Sequence, residues 1–206
     1  MRRHPELGHC GVLADAQTAG QGRQGNPWES AAGAGLTLSA SRPFSPLPPG
    51  LVLQRAMLAV MEVLGVPGLG LKWPNDLVAY RAGRLVKLGG ILGEVSGRRL
   101  ILGVGINLAS APDLPQRAIP PASLADLGFE VAPFPHLARA ILSRWNDLET
   151  FFQPAFLWPE PGMPLVWEGG QGVCLQWEPD GRLKVTTPEG IRRLSTGEVS
   201  GLAVKS

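Results

Sequence analysis

A chain of 206 residues, 44% of them hydrophobic and 17% charged, is long enough to bury one sizeable core, or one core and a small satellite domain. The net charge of +2 comes from scattered basic residues and gives no sign of a nucleic-acid tail, and the two distant cysteines, Cys10 and Cys174, indicate neither a disulfide framework nor a C-x-x-C zinc site. The N-terminus lacks the apolar run of a signal peptide. The longest apolar helical stretch, residues 51–64, is interrupted by Gln54, Arg55 and Glu62 and is too short to span a bilayer, so a cytoplasmic protein is expected.

In chain order, residues 11–16 (GVLADA) are predicted as a strand. They run into a loop from Gln17 to Trp28 that carries Gly20, Gly22 and Gly25. Residues 36–40 alternate and form the next strand; a proline-rich connector then leads to a helix over 51–64, apolar on nearly every side and therefore central to the core. Short apolar runs at 77–80, 90–95 and 100–104, separated by turn residues at 81–83 and 96–98, predict an antiparallel meander. That meander puts Asp76, Lys87 and Asn107 at strand ends or on one sheet face. Beyond Asn107 the chain is punctuated by prolines, with a short helix expected at 123–127 before Gly128. Phe134, Leu137, Ala138, Ile141, Leu142, Trp145, Leu148, Phe151 and Phe152 step at helical spacing and read as packing. Five short runs at 164–167, 172–177, 182–186, 190–194 and 199–204, with turns at 179–181 and 188–190, suggest a small barrel. The expected division is a domain over 1–160 and a second over 161–206.

Two stretches carry chemistry. Lys87, in Leu85-Val86-Lys87-Leu88-Gly89-Gly90, is an ammonium among apolar residues and must reach solvent or meet an anion. It is either a lysine snorkelling from an edge strand or a ligand contact, with the two glycines admitting a close backbone approach. Lysine is scarce here, so one inside a motif is less easily accidental. The loop Gly20-x-Gly22-x-x-Gly25 matches the dinucleotide fingerprint, yet no helix opens at Gly25 and no βαβ unit surrounds it, which argues against a dehydrogenase. Its glycine N–H groups, with Arg23 and Trp28, suit phosphate wrapping and ring covering instead, or else form a plain surface loop. His4, His9 and His136 have no visible partner and suggest no catalysis.

The glycine–arginine loop ending in Trp28, Lys72-Trp73-Pro74-Asn75-Asp76, Val86-Lys87-Leu88-Gly89-Gly90-Ile91-Leu92 and Gly103-Val104-Gly105-Ile106-Asn107 together resemble the biotin protein ligase family, in that family's order and at similar spacing. Asp180-Gly181-Arg182-Leu183 and Thr196-Gly197-Glu198-Val199 resemble its small C-terminal SH3-like domain. The resemblance implies an α+β fold, a mixed or antiparallel sheet packed with helices as in class II synthetases, followed by an SH3-like β-barrel. It implies an ATP-dependent ligase that activates biotin to biotinyl-5′-AMP and transfers it to a lysine of the biotin carboxyl carrier protein of acetyl-CoA carboxylase, with Mg²⁺ entering on ATP. By the same resemblance Lys87, Arg23 and Asp76 are catalytic. Gln17, Gly20, Gln21, Arg23, Lys87, Gly90 and Gly105 border biotin, and Arg23, Trp28, Lys72, Asn75 and Asn107 serve the nucleotide. Asp76 either orients the incoming lysine or a magnesium-linked phosphate, or is a turn-former after Asn75.

The sequence also departs from the family. Gln21, Gln24 and Asn26 stand where the loop commonly has positive charge. Members normally carry a Ser/Thr-Asn segment and a helix before the loop, where this chain has only residues 1–10; nor is there room for a DNA-binding winged helix, so no DNA partner is expected. The family often forms homodimers. A lipoate- or octanoate-transferring relative, and a catalytically weak biotin- or nucleotide-binding module, are the alternative readings.

Overall fold

Leu36, Leu38 and Ala40 are buried while Thr37 and Ser39 between them face a cleft, and Leu100, Leu102, Val104 and Ile106 alternate likewise with Ile101, Gly103 and Gly105. Such period-two alternation belongs to strands with one face on a core and the other turned to a ligand or solvent. A computed structural model describes residues 10–43, 47–114, 116–130, 132–146, 148 and 153–201. Seven strands form one sheet: β1 (Cys10–Ala14), β2 (Gly35–Pro43), β3 (Gly70–Lys72), β4 (Asp76–Arg81), β5 (Arg84–Ser96), β6 (Arg99–Asn107) and β7 (Phe156–Trp158). Their order is β1-β2-β6-β5-β4-β3-β7, antiparallel throughout except for the parallel pair β3–β7. The mixed sheet with helices is therefore as expected from the resemblance.

The meander β4-β5-β6 forms with tight turns at the expected places. Arg81 pairs with Arg84 around Ala82 and Gly83, both at positive φ (48° and 76°), and Ser96 pairs with Arg99 around Gly97, at φ 59°. At Lys87, β5 pairs with β4 on one side and with the chain at Pro120–Ala122 on the other, so Lys87 is not on a free edge, which corrects one of the two readings above.

Helices α1 (Pro49–Leu64) and α2 (Phe134–Asn146) cover one face of the sheet. Proline at the first turn of α1 and left-handed Gly65 at its end set its limits. Its Val52, Ala56, Met57, Ala59, Val60 and Met61 are buried, and Trp145 of α2 donates its indole N–H to the Ala56 carbonyl at 2.9 Å. The helical spacing predicted through Phe152 extends as helix only to Asn146; residues 147 and 149–152 lie outside the described set. The short helix expected at 123–127 is a 3₁₀ turn over Ala125–Leu127. Ser123 and Asp126 bond each other at its start, and Gly128 ends it at φ 83°.

The last five strands, β8 (Pro164–Trp167), β9 (Gly170–Trp177), β10 (Leu183–Thr187), β11 (Gly190–Leu194) and β12 (Val199–Gly201), follow the predicted runs. They pair as a five-stranded antiparallel sheet in the order β11-β10-β9-β8-β12, which is open between β11 and β12 among the described residues. This unit has its own core of Leu165, Cys174, Leu183, Val185 and Val199, into which Trp73 and Trp158 of the larger sheet insert. Among the described residues no helix is long and apolar enough to cross a membrane.

Candidate functional site

On the sheet face opposite the helices lies a cleft of about 520 Å³, within the range of roughly 300–1,000 Å³ usual for small-molecule sites. Gln17, Gln21, Arg23, Trp28, Lys72, Asn75, Asp76, Lys87, Gly90, Gly105 and Asn107 all line it. Of the glycines expected at a ligand site, Gly20, Gly25 and Gly89 do not line it, and Gly20 has another task. It closes the loop instead: Trp28 donates its backbone N–H to the Gly20 carbonyl at 3.0 Å, and a Cβ on residue 20 would lie 2.4 Å from the Trp28 carbonyl.

The floor of the cleft depends on a β-bulge. In a regular strand Lys87 and Gly90, three apart, would face opposite sides. Here Val78 pairs with Lys87 but Leu77 with Gly89, leaving Leu88 as the extra residue. The buried series accordingly shifts from Val86 and Leu88 to Ile91. Lys87 and Gly90 then share the cleft face, and Asp76 sits opposite Gly90. Lys87 Nζ lies 2.8 Å from Asp76 Oδ1; a Cβ on residue 90 would be 3.1 Å from that oxygen. The Lys87 backbone is held from the other edge as well. β6 ends at Asn107, and the chain at Pro120–Ala122 takes its place, with Lys87 N–H to the Pro120 carbonyl and Ala122 N–H to the Lys87 carbonyl, each at 2.9 Å.

Asp76 faces a second cation. Lys72 Nζ is 4.0 Å from Asp76 Oδ2 and 5.3 Å from the centre of the Trp158 ring, and the residue is 3% exposed. Burial pulls its pKa below the ordinary lysine value, with Asp76 and then Glu198 opposing that shift. Asp76 thus lies within reach of two ammonium groups, which an isolated turn residue would not. Arg23, half-buried, donates from Nη1 to Asn75 Oδ1 (3.2 Å) and the Gly197 carbonyl (3.0 Å), and from Nη2 to Thr196 Oγ1 (3.0 Å). Desolvation lowers its pKa, while Asp76 and Glu198 raise it. Asn75 in turn donates to the Ile91 carbonyl at 2.6 Å.

The loop Gly22–Asn26 is a single 3₁₀ turn over Arg23–Gly25, without the helix a dinucleotide site needs. Trp28 lies on the sheet: a Cβ on residue 105 would meet its ring at 2.5 Å, so only glycine there lets the indole lie on the strand. Trp28 Nε1 and Asn107 Oδ1 are buried with no hydrogen-bond partner among the described residues, while Asn107 Nδ2 donates to the Ala122 carbonyl at 3.2 Å. An acceptor left open on a cleft wall fits a ligand N–H.

Sequence reasoning assigned no site role to the connector residues Pro112, Leu114, Arg117, Ile119 and Pro121, or to Glu198 and Ser200, all of which line the cleft. Irregular backbone carries no periodic signal. The Thr196-Gly197-Glu198 segment is marked in the sequence only by its resemblance to the C-terminal SH3-like domain, although Thr-Gly-Glu between two short strands is a polar turn able to face a neighbouring site.

Four cations (Arg23, Lys72, Lys87 and Arg117) interleaved with carboxylates, glycine-floored strands and an aromatic wall define the class: an α+β protein with a cleft of small-molecule size. The description "Biotin/lipoate A/B protein ligase family" matches residues 9–109. A biotin–[acetyl-CoA-carboxylase] ligase of Mycobacterium tuberculosis is 38% identical over 141 residues, 64% of this chain and 50% of that protein. One of Paracoccus denitrificans is 35% identical over 162 residues, covering 70% and 66%. The solved biotin protein ligase from Aquifex aeolicus in complex with biotin and ATP has a TM-score of 0.70 at 27% identity, covering 92% of this chain and 87% of that one. The chain belongs to the biotin/lipoate A/B protein ligase family. It spans about half or less of the length of the first curated relatives it matches.

Proposed function

We propose that this protein is a biotin protein ligase: it joins biotin to ATP as biotinyl-5′-AMP with release of pyrophosphate, then passes the biotinyl group to a lysine of a biotin carboxyl carrier protein. The observation that carries the reading is the Lys87–Asp76 pair at 2.8 Å, set in a cleft that Lys72 and Arg23 also line. A carboxylate attacking an α-phosphate brings two anions together, and fixed donors placed where that charge develops lower the barrier. Lys87 bridges the biotin carboxylate and the α-phosphate. Arg23 and Trp28 close over the adenylate, and Asn75 and Asn107 face the nucleotide, the open Oδ1 of Asn107 receiving a base amino group. Gln17, Gln21, Gly90 and Gly105 border biotin. Asp76 holds Lys87 and then orients the incoming carrier lysine.

Mg²⁺ enters on ATP, carried by phosphate and water oxygens. In the same reading residues 1–160 form the catalytic domain and 161–206 an SH3-like one, in a cytoplasmic homodimer.

The test is incubation with ATP and labelled biotin, with and without a carrier domain and with lipoate as competitor. Pyrophosphate release, a biotinyl-adenylate band and labelling of the carrier lysine are expected, undiminished by lipoate. Preference for lipoate moves the protein to the lipoate branch. Tight biotin binding without pyrophosphate release would leave it a binding module.

A further inference from the structure

The family resemblance assigns no role to Thr196, and we infer that this residue of the C-terminal sheet positions Arg23 and thereby holds the activated intermediate in the cleft. The inference rests on the functional reading above. Arg23 sits in the 3₁₀ turn between Gly22 and Asn26, and among the described residues the hydrogen bonds of its guanidinium all go outside that loop. The guanidinium is held from outside the loop. Asn75 Oδ1 and the Gly197 carbonyl take both Nη1 hydrogens, and Thr196 Oγ1, 3.0 Å from Nη2, fixes the orientation of the plane.

These three acceptors are uncharged, and the carboxylates of Asp76 and Glu198 act on Arg23 without a hydrogen bond to it among the described residues. Among the described residues three of its five donors are engaged, and one Nη2 hydrogen and the Nε hydrogen stay open to an anion. Removing Thr196 Oγ1 leaves Arg23 charged and present but free to rotate about its last bonds, so the loss falls on retention of the bound phosphoryl group. Thr196 is thus a positioning residue: it acts on the intermediate through Arg23, from a unit whose core is separate from that of the catalytic sheet.

The experiment measures dissociation of a non-reactive biotinyl-adenylate analogue from the full chain, in Thr196→Val and Thr196→Ser and in each combined with Arg23→Ala. Valine keeps the shape without the acceptor; serine keeps the acceptor. T196V is expected to release the analogue roughly tenfold faster, the worth of one hydrogen bond to a charged group, with T196S near the native rate. In the R23A background T196V is expected to change nothing further, because its only route is through that guanidinium. Biotin alone binds T196V as it binds the native chain.

Equal release by T196V and the native chain overturns the inference. So does an effect that persists in R23A, which would make Thr196 a fold contact only. If T196V fails to fold, T196S with native release and Thr196→Ala with fast release decide in its place, and equal rates for those two overturn the inference. A native chain that does not bind the analogue overturns both this inference and the reading it rests on; binding without a Thr196 effect overturns the inference alone.

Discussion

Lys87 and Asp76 meet at 2.8 Å on the cleft face, Lys87 pairing with Val78 and Asp76 with Gly90 on either side of the bulge in β5. Their pairing is a matter of function more than stability, since the Lys87 side chain is 35% exposed and partly exposed ion pairs contribute little. Lys87→Met is expected to reduce biotinyl-adenylate formation by about a hundredfold or more. It should shift unfolding stability by less than about 1 kcal/mol. Single-turnover pyrophosphate release and urea unfolding check the two halves; near-native release in a folded K87M protein removes the basis of the proposed chemistry.

Gly105 is where the indole of Trp28 lies on the strand. A methyl group there would meet the ring at 2.5 Å, while the flanking Val104 and Ile106 remain in the core. Gly105→Ala is therefore expected to lift Trp28 off the sheet. Affinity for the adenylate should fall by roughly tenfold or more, an effect comparable to losing a buried aromatic contact. Quenching of Trp28 fluorescence by acrylamide should increase. Unchanged quenching and affinity would show that the loop absorbs the methyl group elsewhere.

Lys72 is buried and holds its proton less tightly when folded than when unfolded. Between its lowered folded value and the ordinary lysine value of 10.5 the unfolded chain binds more protons, so this residue makes stability rise with pH across that window. Below the folded value its penalty is constant. Lys72→Met is expected to lose that rise, so native protein should gain on K72M as pH increases toward 10.5. Urea midpoints for the two proteins across alkaline pH measure it; parallel curves would mean Lys72 does not titrate there.

Gly181 ties the two units together. Its carbonyl accepts from Gln54 Nε2 of α1 at 2.8 Å and from Trp73 Nε1 at 3.0 Å. Its φ is +87°, and a Cβ would stand 2.4 Å from the Leu51 backbone nitrogen. Gly181→Ala combines backbone strain of order 1–3 kcal/mol with that clash, and is expected to destabilise the chain by about 2 kcal/mol or more. The C-terminal strands should exchange amide hydrogens first, because the shared carbonyl moves with them. A loss under about 0.5 kcal/mol would show that the two units are held by Trp73 and Trp158 packing alone.

Much of the architecture was legible because it is local. The meander over β4, β5 and β6 is readable from apolar runs and turn residues, and α1 from its predominantly apolar stretch over 51–64 after the proline-rich connector. β7 was not, since Phe156–Trp158 is three residues long and pairs in parallel with β3, more than 80 residues earlier in the chain, leaving no periodic mark.

The candidate site divides the same way. Residue identities, the glycines, Arg23, Trp28, Lys72, Asn75, Asp76, Lys87 and Asn107, stand in the sequence, and their order is what marked them. Their geometry does not, for it depends on contacts between distant segments. The bulge that turns Lys87 and Gly90 to one face requires the pairing with β4, and the hold on Arg23 requires Thr196 and Gly197, more than 170 residues away. Strand period and turn chemistry act over a few residues and can be read in one dimension. The direction in which a charged side chain points is set by whichever neighbours folding brings to it, and only the tertiary structure decides that.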